Sequence, residues 1–158
     1  LNVTRGAPLA VNKSSGDTFD AIVYAERQPK RWMAGSSFFR RTQDANPGFE
    51  EKKTGQLIQM ATSYEDDGGD AHIRIYRNGD LIGDYIKGVL PTWVAGDVEA
   101  IFGPRAFIGG TAHGWVIARV EDARIYNGVL TPDGITAVDP GGKLTTSWGA
   151  IKAKSSRF

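Results

Sequence analysis

The dipeptide Asn78-Gly79 constrains the fold of this chain more than any other short feature of its sequence. It separates HIRIYR, in which Ile73 and Ile75 alternate with polar residues, from DLIGDY. Alternation is typical of a strand with one buried face, and Asn-Gly is a preferred pair for a two-residue hairpin turn. The sequence therefore predicts an antiparallel hairpin here, with Ile73 and Ile75 on its buried face.

Several other segments have the same period of two residues. In FDAIVYAE, the residues Phe19, Ala21, Val23 and Ala25 share one face, which indicates a half-buried strand. Helical signals are nearly absent, and only the Thr131-Pro132-Asp133 segment could begin a single turn of helix. The pattern predicts an all-β protein with strands at Phe19–Glu26, Arg31–Ser36, Leu57–Tyr64, Ile73–Arg77, Ala100–Phe102, Phe107–Ile108 and Trp115–Tyr126, the last with a bulge near Glu121-Asp122.

Composition limits the classes of function that the chain can have. Its 158 residues fit one domain, and its formal charge of +1 gives no electrostatic reason to expect nucleic acid as a partner. The absence of cysteine excludes disulfides, thiolate catalysis and cysteine-ligated metals. No apolar run approaches the roughly 20 residues that a membrane-spanning helix needs, so no transmembrane segment is predicted.

The carboxylates and histidines do not form a credible catalytic set. Asp20 and Glu26 fall on the same face of one predicted strand, but their separation along it is ~20 Å, beyond the spacing of a glycosidase pair. Of the two histidines, His72 starts a strand and His113 lies in a glycine-flanked turn, with no Gly-x-Ser-x-Gly motif in the chain. The sequence therefore predicts a protein that is not an enzyme, and a polysaccharide-active enzyme is the third alternative.

A cluster of acids, EDDGGD, follows Tyr64. Glu65, Asp66, Asp67 and Asp70 would place several carboxylate oxygens on a glycine-rich loop, and calcium takes about six to eight oxygen ligands. An ordinary solvated acidic turn accounts for the same residues. Calcium at this loop is therefore one hypothesis, and a protein without any cofactor is the other.

The second half of the chain resembles a known domain family. From His72 to Ile135 the sequence runs through HIRIYRNGDLIGDY, IFGPRAFIGG and WVIARVEDARIYNGVLTPDGI. This succession resembles the C-terminal half of laminin-G-like (concanavalin A-like) domains, in which a hairpin, a Gly-Gly strand and a final strand with its turn follow one another. The residues at matching places of the last motif are Val120, Glu121, Ala123, Arg124, Ile125, Tyr126, Asn127, Leu130, Thr131 and Ile135.

The first half carries a narrower resemblance. The segment FDAIVYAERQPKRWMAGSSFFRRTQ is similar to the laminin-G-like module of large exported bacterial proteins that also carry cytochrome-c-like and uncharacterised domains. The resemblance as a whole covers roughly Phe19 to Val138. It implies an antiparallel jelly-roll-like β-sandwich over residues 1–140, followed by a tail over 141–158. It also implies a protein that is secreted, at the cell surface or in the periplasm.

The chain departs from the family pattern in two places. Gly134 stands where the family usually has an acidic residue, and only LNVTRGAPLAVN stands ahead of the matching segments, where family members have further strands. Either the sandwich is smaller, or the tail fills the vacant edge, or a partner chain does. Because an open edge invites aggregation, Lys143–Lys152 is predicted to form a strand that pairs near Leu9–Asn12.

The resemblance implies a non-catalytic carbohydrate-binding or adhesion module whose partner is a polysaccharide or another glycan. Sugar rings stack on aromatic faces, and sugar hydroxyls pair with planar polar groups such as guanidinium. The alternative is that Trp32 belongs to the core and the arginines pair with Glu50, Glu51 or the acidic cluster EDDGGD. The candidate sugar-binding residues are Glu26, Arg31, Trp32, Arg40, Arg41, Gln43, Trp93 and Trp115.

A rival interpretation comes from another class of function. A sheet edge that lacks a neighbouring strand can accept a strand from another chain. The protein would then be a structural or assembly module that binds a protein partner or a second copy of itself.

Overall fold

The computed structural model describes residues 2–53 and 55–129 and shows a protein built from antiparallel β-strands. The helical structure in those residues is one 3-10 turn, Ser37–Phe39. The prediction of an all-β protein is confirmed. In chain order the strands are β1 (Asn2–Thr4), β2 (Ala7–Lys13), β3 (Phe19–Tyr24), β4 (Trp32–Ser36), β5 (Met60–Asp67), β6 (Asp70–Arg77), β7 (Asp80–Ile86), β8 (Val98–Gly103), β9 (Ala106–Ile108), β10 (Thr111–His113) and β11 (Trp115–Ile117).

The strands form two main sheets and two ribbons. The larger sheet has four strands in the order β4-β3-β2-β8, and the smaller sheet has three in the order β5-β6-β7. Strand β1 pairs with β11, and β9 pairs with β10. Consecutive antiparallel pairs dominate both main sheets, which is the topology that short connections favour.

The hairpin predicted at Asn78-Gly79 is the connection between β6 and β7. Asn78 has a φ of 50° and Gly79 a φ of 87°, so both lie in the left-handed region that a type I′ turn requires. Asn78 also ties the hairpin to the residue before β5, because its side-chain oxygen accepts a hydrogen bond from the Gln59 amide at 2.8 Å. Ile73 and Ile75 are fully buried on the face that the alternation predicted.

The two main sheets share a hydrophobic core. The rings of Tyr24 and Trp32 belong to it, with centroids 4.7 Å apart. Burial of each large apolar side chain contributes ~1.5–3 kcal/mol, so this shared core holds the sheets together. Its buried members are Tyr24, Trp32 and Ala34 from the larger sheet and Ala71, Ile73, Ile75, Ile82 and Tyr85 from the smaller sheet.

The other face of the larger sheet is buried as well. Phe19, Ala21 and Val23 of β3 belong to a second core cluster, against which Ile101 and Ile108 pack. Because the intervening residues of β3 are largely buried too, this strand has no solvent face. The prediction of a half-buried strand is therefore wrong. Nearly every residue of FDAIVY is apolar, and such a run is typical of a strand covered on both sides.

The strand expected over Trp115–Tyr126 is much shorter than predicted. Only Trp115–Ile117 pairs, with the three residues of β1, and no later residue up to 129 lies in a strand. The bulge expected near Glu121-Asp122 therefore has no ladder to interrupt. Charges in this segment pair locally instead, as Arg124 does with Asp122 at 2.7 Å.

The tail strand predicted over Lys143–Lys152 lies outside the described residues, as does the domain boundary at residue 140. Its expected partner region does not have a free edge. Leu9–Asn12 pairs with β3, and Ala10–Lys13 pairs with β8 on the other side. Because both edges of β2 are occupied over Ala10–Asn12, that stretch cannot also pair with the tail.

Within residues 2–53 and 55–129, no helix has the length and apolarity to cross a bilayer.

Candidate functional site

The segment after β4 presents two phenylalanine rings to solvent, here called the aromatic pair: Phe38 is 68% exposed and Phe39 is 42% exposed. Both have positive φ, 52° and 55°, a conformation that costs a bulky residue on the order of 1 kcal/mol or more. The Ser37 hydroxyl is buried and has no hydrogen-bond partner in the described part of the chain. An exposed apolar pair on a strained segment marks a candidate binding surface.

A network of buried polar groups holds this segment in place. The Ser36 hydroxyl accepts a hydrogen bond from the Arg41 backbone amide at 2.8 Å and lies 3.0 Å from the Thr42 hydroxyl. Lys87 donates to the Thr42 carbonyl at 2.6 Å, and the Tyr85 hydroxyl donates to the Arg41 carbonyl at 3.0 Å. The smaller sheet therefore clamps the chain just beyond the aromatic pair.

The Arg41 side chain anchors the same network. It is buried, and its Nε donates to the Asp20 carboxylate at 2.9 Å while its Nη atoms donate to the carbonyls of Val89 and Phe19 at 3.2 and 3.3 Å. Burial raises the pKa of Asp20 to about 6, because lost hydration outweighs the attraction of Arg41. The expectation that the Arg41 guanidinium meets a sugar is corrected here, since the group is enclosed by these partners.

Two arginines lie over the exposed rings. The guanidinium carbon of Arg40 is 5.1 Å from the centroid of Phe38, and that of Arg27 is 5.7 Å from the centroid of Phe39. Cation–π contacts at exposed sites contribute ~0.5–1 kcal/mol each. Arg40, which was predicted from the sequence to bind sugar, therefore lies against the aromatic pair.

A shallow basin lies between the β3–β4 loop and the segment 44–50, with a volume of about 480 Å³. Its walls are joined by a backbone hydrogen bond from Glu51 to the Lys30 carbonyl at 2.9 Å. Gly48 has a φ of 70°, and a Cβ there would lie 2.7 Å from Nη1 of Arg31, so the guanidinium lies over a turn that favours glycine. The lining residues are Gln28, Pro29, Lys30, Arg31, Ala45, Pro47 and Glu50.

The basin and the aromatic pair are joined by one ion pair. Arg27 contacts the ring of Phe39 and bonds Asp44 at 2.7 Å. Arg27 directly precedes Gln28 of the basin, and Asp44 directly precedes Ala45. The exposed rings, the arginines over them and the basin therefore form one surface, here called the composite site.

Trp32 is a core residue, not a surface platform. It is 4% exposed, and its indole Nε1 donates to Glu51 at 2.9 Å. Glu51 also accepts from Arg77, at 2.6 and 3.0 Å. The interpretation in which Trp32 stacks on a sugar is corrected by this burial. The alternative is right to place Trp32 in the core, but Arg41 pairs with Asp20, and within residues 2–53 and 55–129 neither Arg31 nor Arg40 forms an ion pair.

The other residues predicted for sugar binding are scattered. Glu26 is largely buried and pairs with Arg105 at 3.2 Å; burial raises its pKa, an effect that Arg105 and other nearby arginines oppose. Gln43 is exposed beside Asp44, at the border of the composite site. Trp93 lies in the connection between β7 and β8, and Trp115 lies in β11, so neither lines the basin.

The acidic cluster lies on strands, whereas a loop was expected. Glu65, Asp66 and Asp67 end β5 and Asp70 starts β6, with Gly68-Gly69 as the turn. Glu65 bonds Arg74 at 2.9 Å. In the described residues no group of three or more histidine and acidic side chains is arranged to hold a metal ion. Calcium at Glu65, Asp66, Asp67 and Asp70 stays a prediction.

His72 has partners on both ring nitrogens. Its Nδ1 lies 3.1 Å from Nη2 of Arg74, and its Nε2 bonds Asp84. The imidazole therefore lies between a guanidinium and a carboxylate. The arrangement lies on the outer side of the smaller sheet, away from the composite site.

Comparisons of the chain with protein-family models, with curated proteins and with solved structures find no match. The laminin-G-like resemblance therefore stays a prediction.

Sequence reasoning missed Phe38 and Phe39. Their signal was nevertheless present, because two consecutive phenylalanines follow the predicted strand Arg31–Ser36 and precede two arginines. Adjacent residues point in different directions, so one short turn rarely buries both rings.

Proposed function

We propose that this chain is a non-catalytic carbohydrate-binding or adhesion module of an exported bacterial protein, built as a jelly-roll-like sandwich of the laminin-G type. Two antiparallel sheets that share a core are compatible with that architecture. The functional part of the proposal depends on the composite site rather than on the fold, since one fold serves many functions.

The observation that carries the proposal is the exposure of Phe38 and Phe39 on a segment held by buried polar groups. Aromatic rings stack on the C–H faces of sugars, and a ring that is already fixed loses little entropy on binding. Gln28 and Glu50 in the adjacent basin supply an amide and a carboxylate for sugar hydroxyls. A fixed apolar platform beside a polar basin suits an extended glycan chain.

Affinity electrophoresis and a glycan array test this proposal on the full chain. The double variant Phe38→Ala/Phe39→Ala is expected to lose retention by any polysaccharide that retards the parent protein. Phe102→Ala is the matched control, because Phe102 on β8 is 53% exposed and lies outside the composite site. Equal retention of the two variants would contradict the proposal, and release of sugar products by the parent protein would revive the enzymatic alternative.

A second function is favoured by a different observation. Strand β8 pairs with β2 on one side and has no described strand on the other, and its Phe102 is exposed. Ile117, Ile125 and Tyr126 are each more than half exposed. An open edge and exposed apolar side chains suit a structural or assembly module. Native mass spectrometry distinguishes the two functions, because a stable multimer supports assembly and a monomer that binds glycan supports the carbohydrate-binding module.

A further inference from the structure

We infer that the ligand of the composite site is an acidic polysaccharide, one that carries carboxylate or sulfate groups along its chain. This inference names the ligand class of the site described above and therefore rests on the proposed function. It is carried by the charges that remain at the site once every ion pair has been assigned.

The acids around the site are mostly engaged by arginines. Asp44 pairs with Arg27 at 2.7 Å and Asp20 with Arg41 at 2.9 Å. The two remaining engaged acids are Glu26, paired with Arg105 at 3.2 Å, and Glu51, paired with Arg77 at 2.6 Å. These acids contribute little free negative charge to the surface.

Three cations are left over. Lys30 and Arg31 line the basin and Arg40 lies over Phe38. Within residues 2–53 and 55–129, no carboxylate lies within 4.0 Å of the charged nitrogens of any of the three, and Glu50 is the basin's only acidic wall residue. Because the whole chain has a formal charge of only +1, this excess is local rather than general.

The arrangement of the cations suits a polymer better than a small anion. Lys30 and Arg31 are in the basin, while Arg40 is at the aromatic pair, across the Arg27–Asp44 ion pair. A ligand that reaches both must be extended. Its anionic groups would meet the cations through charge-assisted hydrogen bonds, and its sugar rings would stack on the phenylalanines.

Lys30 and Arg31 present two different kinds of positive charge to a ligand in the basin. Guanidinium presents a planar fork that matches carboxylate and sulfate oxygens, and ammonium acts as a compact point charge. Arg31 lies over Gly48, so its orientation is limited before any ligand arrives. Lys30 is exposed and lies in the positive-φ region, at 59°.

Matched pairs of polysaccharides test the inference with the full chain. Polygalacturonate is compared with highly methyl-esterified pectin, which masks the carboxylates of the same backbone, and κ-carrageenan with chemically desulfated κ-carrageenan, which lacks the sulfates of the same backbone. Retention is expected to be stronger for the acidic member of at least one pair and to weaken as salt rises. A difference in retention within the first pair indicates that the site prefers carboxylate, and a difference within the second pair indicates that it prefers sulfate.

The variant Lys30→Gln/Arg31→Gln is expected to raise the Kd for the acidic polysaccharide about tenfold or more. The control Lys13→Gln/Arg119→Gln removes the same charge elsewhere and is expected to change the Kd by less than about twofold. Lys13 ends β2 at the opposite end of the larger sheet from the β3–β4 loop. Thermal melting of both variants checks that neither loses its fold.

Two results overturn the inference while the proposed function stands. One is equal, salt-insensitive retention by acidic and neutral members of both pairs. The other is an equal effect of the basin and control variants. Tighter binding of a single-stranded DNA oligonucleotide than of any polysaccharide would overturn the inference and the proposed function together. If no glycan retards the parent protein at all, the proposed function fails first, and the inference fails with it.

Discussion

The hydroxyl of Tyr85 donates a hydrogen bond to the backbone carbonyl of Arg41 at 3.0 Å, and so joins β7 of the smaller sheet to the loop that follows β4 of the larger sheet. The same hydroxyl lies 3.3 Å from the backbone amide of Gln43 and accepts from it. Burial raises the pKa of Tyr85 to about 12, so the hydroxyl stays protonated and keeps donating at neutral pH. One side chain therefore fixes two backbone groups just beyond the aromatic pair.

Tyr85→Phe is expected to destabilise the protein by ~1–3 kcal/mol, because it leaves the buried Arg41 carbonyl and the Gln43 amide without this partner. Urea unfolding followed by fluorescence measures the change. Tyr126→Phe is the control, since Tyr126 is 51% exposed, and it is expected to change the free energy of unfolding by less than ~0.5 kcal/mol. Equal stabilities of the two variants would show that the Tyr85 hydrogen bonds do not clamp the loop.

Replacement of the neighbours Arg40 and Arg41 by alanine is expected to lower the free energy of unfolding by very different amounts. Arg41→Ala leaves the Asp20 carboxylate buried without its partner, and breaking such a pair costs ~3–5 kcal/mol. Arg40→Ala removes an exposed side chain and is expected to cost less than ~1 kcal/mol. Thermal or urea unfolding of the two single variants decides the matter. Similar losses from both would mean that Arg41 is not the anchor of the network.

The Asp20 carboxyl is expected to leave a signature in the pH dependence of stability. Its pKa is about 6 in the folded protein against 3.8 for an ordinary aspartate, so the folded state binds its proton more tightly than the unfolded state. Stability therefore falls as pH rises from about 4 to about 6, by at most about 3 kcal/mol, and levels off above that range. The measurement is the difference in unfolding free energy between parent and Asp20→Asn at each pH. The unfolding free energy of the parent minus that of Asp20→Asn is expected to fall as pH rises over this range. If it rose instead, the Arg41 ion pair would outweigh the loss of hydration.

The elements of the smaller sheet could be predicted because local signals agree there. Asn78-Gly79 specifies the turn, and alternation places Ile73 and Ile75 inside. How far strand pairing extends beyond Ile117 could not be predicted from the segment WVIARVEDARIY itself. It depends on whether a partner strand lies beside it. The burial of both faces of β3 could have been predicted, because FDAIVY has few polar residues on either face.

The site was harder to predict because its decisive partners are distant in sequence. Arg41 bonds Asp20 across 21 residues and Tyr85 across 44, so nothing near Arg41 in the chain shows that it is buried. Adjacent Arg40 has the same local composition and remains exposed. Which arginine serves the fold and which faces solvent is settled only by tertiary packing.

Replacement of two glycines by alanine can separate the energetic cost of backbone strain from that of steric crowding, because neither position is crowded. A Cβ at Gly79 or at Gly16 would meet no heavy atom within 4 Å, but Gly79 has a φ of 87° and Gly16 lies outside the left-handed region. Gly79→Ala is expected to cost ~1–2 kcal/mol through strain alone. Gly16→Ala is expected to be neutral or to stabilise by up to ~1 kcal/mol, because it restricts the unfolded chain. Chemical denaturation of both variants measures the two effects. If Gly79→Ala were as stable as Gly16→Ala, the turn between β6 and β7 would not require its left-handed backbone, and the type I′ hairpin would be the wrong description of this connection.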